Sequence, residues 1–125
     1  MKADFKLKSE QIQRQGKDPV TVFNLQGWLD AQSEEMLLDA ARKSHQSGDR
    51  YLIIDLTELA MITSVGIRAL QKVQNLFTDK VENALQMRIC NAPPEVYHVL
   101  KLTGILHDMP VYESLQSALL SYEIK

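Results

Sequence analysis

The sequence predicts a single α/β domain in which an N-terminal hairpin leads into alternating helices and strands, giving a mixed β-sheet faced by helices. Three observations carry that prediction. Two β-rich segments, residues 4–14 and 20–25, are separated only by the turn cluster Gln15-Gly16-Lys17-Asp18-Pro19, which suits a hairpin. An apolar run, Tyr51-Leu52-Ile53-Ile54, reads as a buried strand. Beyond it Gly66, Ala69, Leu70, Val73, Leu76 and Phe77 recur at helical spacing and make one apolar face. The 125 residues suit one domain with one core.

In chain order, residues 4–14 alternate loosely around Phe5, Leu7 and Ile12 and read as an edge strand. Val20-Thr21-Val22-Phe23-Asn24-Leu25 is β-branched and aromatic, hence a second strand. Gly27-Trp28-Leu29-Asp30 closes that strand and opens a helix, with Asp30 as its N-cap. Leu37, Ala40, Ala41 and Ser44 share a face of this helix, and Gly48 stops it. Trp28 either packs on its own sheet edge or, exposed, is an anchor for a partner, since tryptophan is enriched among binding hot spots. After the third strand a short polar turn and the pair Met61-Ile62 lead into Thr63-Ser64, where the second helix begins. Residues 85–90 alternate well enough for a fourth strand. Asn91-Ala92-Pro93-Pro94 supplies a proline for a first helical turn, Val96, Val99 and Leu100 form the stripe, and Gly104 is the C′ residue.

Several chemistries are absent. With 14 basic and 16 acidic residues the net charge is −2, so no cationic excess points to nucleic acid. No apolar run approaches the ~20 residues that cross a membrane. The first residues, Met1 to Lys6, lack the apolar core of a secretion signal, and a lone Cys90, read as a buried core residue, fits a reducing cytoplasm. His45, His98 and His107 share no ligand spacing with Cys90 or with each other, so no metal is expected. No Gly-rich phosphate loop suggests a cofactor. Ser64 is flanked by Ile62 and Gly66 rather than by the two glycines of a nucleophile elbow. A phospho-aspartate receiver would need an acidic pair after the first strand and a lysine after the last, and neither is there. The sequence therefore points away from catalysis.

Ser64 is the residue on which function turns. A serine at a helix start caps the helix by accepting from a backbone N–H. Its hydroxyl is also exposed and sits at the positive end of the helix dipole, which makes it a candidate phosphate carrier. The strand ending in Asp55-Leu56-Thr57 and the segment Thr63-Ser64-Val65-Gly66-Ile67 resemble the signature of the STAS family, the domain of anti-sigma factor antagonists and sulfate-transporter tails. Gly27-Trp28-Leu29-Asp30, Leu102-Thr103-Gly104-Ile105 and the tail from Met109 to Leu119 are similar to further STAS segments. The resemblance covers about residues 4–121. It implies a STAS-like single domain over residues 1–125, with about four helices and a last short strand, a Ser N-cap and a closing helix.

The resemblance also implies a mechanism. In the antagonists the serine matching Ser64 is phosphorylated by a partner serine kinase that is also an anti-sigma factor, and a serine phosphatase resets it; Thr63 is a lesser candidate. The implied docking surface comprises Asp30, Thr63, Ser64, Val65, Gly66 and Arg68, with Trp28 as an addition. A homodimer is compatible with it. Thr63 stands where phosphorylated antagonists carry Asp, and Val65 replaces a small hydroxyl residue. Two alternatives therefore stand beside the switch: a constitutive scaffold of the same fold, and a sensor of a nucleotide or other small ligand.

Overall fold

The computed structural model describes residues 4–123; the reading of residues 1–3 as free of a secretion signal lies outside them. Strands β1 (Lys6–Arg14) and β2 (Lys17–Leu29) form the antiparallel hairpin, with Leu7 opposite Leu25 and Ile12 opposite Val20. Helix α1 (Glu34–Gln46) crosses to β3 (Tyr51–Ile62), and α2 (Ser64–Leu76) follows at once. A two-residue pair, β4 (Thr78–Asp79) and β5 (Ala84–Leu85), then precedes β6 (Met87–Cys90) and α3 (Pro94–Leu102). A 3₁₀ turn (Ile105–His107), β7 (Val111–Tyr112) and α4 (Leu115–Ser121) complete the order. The main sheet runs β1-β2-β3-β6-β7, with β1 antiparallel and the rest parallel, so it is mixed, and among the described residues four α-helices accompany it.

Strand alternation divides the core in two. Phe23, Leu25, Leu52, Ile54, Leu56 and Ile89 point to one face, where Leu37, Leu38, Leu70, Val73, Val96 and Leu100 of α1, α2 and α3 meet them. Val20, Val22, Ile53 and Cys90 point to the other, where Ala118 of α4 covers them. Burial, and the nearby Asp55 carboxylate, push the Cys90 thiol up to about 12, so it is a packing group rather than a thiolate.

Two expectations need correction. The short polar stretch before Met61-Ile62 is not a turn: β3 runs through it to Ile62. Its pairing with β2 slips between Asn24 and Gln26 and again between Gly27 and Trp28, so bulges break the alternation that would have marked it as a strand. Residues 85–90 are not one strand either. Ala84–Leu85 pairs with Thr78–Asp79, and only Met87–Cys90 joins the main sheet.

Helix α4 is locked by the residue that follows it, Tyr122. The Tyr122 hydroxyl lies 2.6 Å from the Leu52 carbonyl oxygen and 2.8 Å from that of Gln86, and shares its proton between them. Its ring lies under the Arg88 guanidinium, 4.3 Å away, and against Tyr51. Burial raises its pKa strongly, so the neutral donor is the form present. The Gln86 carbonyl also accepts from Leu52 N–H at 3.0 Å, so Tyr122→Phe chiefly strips the Leu52 carbonyl of its side-chain donor. We expect that loss to cost about 1.5 kcal/mol in a denaturant titration. An unchanged midpoint would show that the phenol adds nothing to the docking of α4.

Candidate functional site

The candidate residues come together where β2 and β3 end and α2 begins. Thr63 leaves β3 with extended backbone, and its N–H donates to the Leu29 carbonyl at 3.1 Å, which ties the start of α2 to the end of β2. Its own carbonyl accepts the first helical bond, from Ile67 N–H at 2.9 Å, and its Oγ1 accepts from Gly66 N–H at 3.4 Å. Thr63 is therefore the N-cap, and the expectation that Ser64 caps the helix is corrected. Threonine meets the same chemical requirement one residue earlier.

That one-residue shift changes what Ser64 is available for. It is the first helical residue, solvent-exposed, and its hydroxyl makes no hydrogen bond among the described residues. Gly66 is buried behind it, Val65 is half-buried and Arg68 is exposed. The first-turn N–H groups of a helix lack intrahelical acceptors and carry the positive end of its dipole. No acidic side chain stands in the first turn of α2 to neutralise it. Arg68 follows Ser64 by one helical turn and so shares its face.

Asp30 has a different local role from the one its sequence suggests. It does not cap α1; Ser33 occupies that position, with no side-chain capping bond. Asp30 is 9 % exposed, and its Oδ1 accepts from Gln32 N–H at 3.0 Å and from Ser33 N–H at 3.2 Å. Ser33 Oγ in turn accepts from Asp30 N–H at 2.9 Å and donates to the Trp28 carbonyl at 2.7 Å. The result is a closed turn between β2 and α1 whose parts hold one another. Lys72, more than two turns into α2, bonds Glu34 at the start of α1 at 2.9 Å and ties the two helices together.

Trp28 is half-buried and lines a cleft of about 430 Å³ with Phe5, Asp30, Gln32 and the half-exposed Met36. Phe5, read only as an apolar strand residue, and Met36 are not linked to Trp28 by the sequence, because they come from different elements and no local pattern relates either to it. At the middle of β3, Asp55 accepts from Thr57 N–H at 2.9 Å and from Asn91 Nδ2 at 3.4 Å, so it ties β3 to the residue that follows β6. Among the described residues no three His, Cys, Asp or Glu side chains are grouped to hold a metal, and no helix is long and apolar enough to cross a membrane.

Comparison with known proteins places this geometry. The chain is 25 % identical over 117 residues to the anti-sigma F factor antagonist of Paenibacillus polymyxa, an alignment that covers 91 % of this chain and 96 % of that protein. Its fold matches that of an anti-sigma factor antagonist from Mycobacterium paratuberculosis with a TM-score of 0.76 at 21 % identity, over 95 % of this chain and 96 % of the other. It also matches the antagonist SpoIIAA in its unphosphorylated form, with a TM-score of 0.72 at 18 % identity over 96 % and 99 % of the two chains. The phosphorylated form of SpoIIAA from Bacillus matches as well, at 0.65 and 17 % identity over 94 % and 99 %. The model of the STAS domain matches residues 11–118, and the chain belongs to the STAS domain family.

Proposed function

We propose that this chain is a non-enzymatic, anti-sigma-factor-antagonist-like binding module switched at Ser64. Unmodified, the surface formed by Ser64, Val65 and Arg68 at the mouth of α2 docks a serine kinase that is also an anti-sigma factor, with Trp28 on the neighbouring strand β2 as an added anchor. Phosphorylation of Ser64 ends the complex and a serine phosphatase restores it. The observation that carries this reading is the exposed Ser64 hydroxyl, which makes no hydrogen bond among the described residues because Thr63 supplies the cap. The names of the related proteins support the partner class, and the phosphorylated form of SpoIIAA shows that a protein of this fold accommodates the modification.

The physics of the switch is an asymmetry between the free and docked states. A phosphate adds about −1.5 to −2 charges and three acceptor oxygens. In the free domain that charge meets the start of α2, where an anion stabilises a helix by about 0.3–1 kcal/mol, and the guanidinium of Arg68 one turn on. In a docked interface the same group is desolvated against surfaces built for a hydroxyl. A penalty of about 3 kcal/mol lowers affinity roughly a hundredfold.

Thr63 in place of an acid favours the second reading, a constitutive scaffold whose Ser64 is never modified. Intact-mass measurement after incubation with the cognate kinase and ATP separates the two. The switch predicts one added phosphate on the wild-type chain and none on Ser64→Ala. No added phosphate on the wild type selects the scaffold.

A further inference from the structure

We propose that β1 is a homodimerisation edge that pairs antiparallel with β1 of a second copy about a two-fold axis at Ser9. β1 is the outermost strand of the main sheet, and the opposite edge, β7, is only two residues long. A long free edge is a template for another strand unless proline, bulges or charged side chains, lysine above all, blunt it. β1 contains no proline, and its only irregularity lies between Ile12 and Arg14, at the hairpin end.

The charges on β1 select the partner and the register. Lys6, Lys8 and Glu10 share one face of the strand with Ile12, because they alternate and pair with Gln26, Asn24, Val22 and Val20. A two-fold pairing places residues of equal parity opposite each other, so that both copies keep their helices on the same side. Three such registers overlap most of the strand: those centred on Ser9, Glu10 and Gln11. Centring on Glu10 sets that carboxylate against its own copy and Lys6 against Arg14. Centring on Gln11 sets Lys8 against Arg14. Centring on Ser9 sets Lys8 against Glu10 of the second copy, twice, and Arg14 against Asp4. Facing charges of opposite sign stabilise an antiparallel pair and like charges oppose it, so only the Ser9 register is self-complementary. Glu10 is exposed, and its hydrogen bond among the described residues, from Asn24 Nδ2 at 3.3 Å, is long enough to yield. The pairing joins two five-stranded sheets into one and does not use Ser64, so it stands or falls independently of the switch.

Sedimentation equilibrium of the full chain over a wide concentration series tests the proposal. The wild type is expected to equilibrate between monomer and dimer. Lys8→Glu and Glu10→Lys should each weaken self-association by roughly tenfold, because each replaces two attractive pairs by repulsive ones. An equimolar mixture of the two variants should dimerise like the wild type, since glutamate at 8 and 10 of one chain then faces lysine at 10 and 8 of the other. Circular dichroism melts matching the wild type show that both variants are folded. A wild type that is monomeric at every concentration overturns the proposal. So does a dimer indifferent to both substitutions, or a mixture no tighter than its components.

Discussion

Gly66→Ala is expected to destabilise the domain by about 3 kcal/mol, at the upper end of what overpacking costs, and to lower the melting temperature by roughly 10 °C. An added Cβ would lie 2.3 Å from the Leu29 carbonyl oxygen, 2.8 Å from Ile62 Cγ1 and 3.0 Å from the Leu29 carbonyl carbon. Two of those three atoms are backbone. The oxygen is held besides by the Thr63 N–H, so it cannot move aside without loosening the tie between β2 and α2. The glycine is thus required by space, because α2 starts in direct contact with the end of β2. Relief of the clash would push α2 outward and carry Ser64 with it, so partner affinity should fall along with stability. A denaturation midpoint within about 0.5 kcal/mol of wild type would mean that the helix start is free to shift and that its position is not fixed by this contact.

Ser64→Asp is expected to lower affinity for the kinase partner about a hundredfold while the melting temperature stays within about 2 °C of wild type. The two halves of this prediction come from the two environments of one position. In the free domain the carboxylate is solvated, stands at the positive end of α2 and has Arg68 one turn away. In the proposed complex it would be desolvated against a surface matched to a neutral hydroxyl. Ser64→Ala should bind as the wild type does, because Thr63 carries the capping bond. If alanine instead costs as much stability as an N-cap does, about 1 kcal/mol, then the serine shares the capping role after all. Equal binding of the alanine and aspartate variants in a pull-down removes the basis of the switch.

Helical periodicity made α2 legible from Gly66 to Phe77, and the same rule found the buried face of α1 at Leu37, Ala41 and Ser44. The hairpin was legible because the turn cluster at residues 15–19 separates two β-rich runs, although β2 begins within that cluster, at Lys17. What failed was choosing between neighbouring residues of equal chemistry. Asp30 and Ser33 are both good caps, as are Thr63 and Ser64, and propensity ranks such pairs without saying which backbone turns first. Asp30 lost because its carboxylate is committed to the turn it opens, and Ser64 because Thr63 already held the last extended backbone before the helix. The bulges of β3 hid a strand as a turn, since alternation is the signal a bulge destroys. The crowding at Gly66 has no local signature at all. It depends on the end of β2, more than thirty residues earlier in the chain.

Titration of the kinase partner with unmodified chain and with chain phosphorylated at Ser64, alongside melting curves of both, tests the central claim most directly. The account predicts tight binding only for the unmodified chain, a roughly hundredfold weaker complex for the phosphorylated one, and nearly superimposable melts. Equal affinities would contradict it. So would a phosphorylated chain that has lost its own stability, because the domain would then respond by unfolding rather than by refusing its partner.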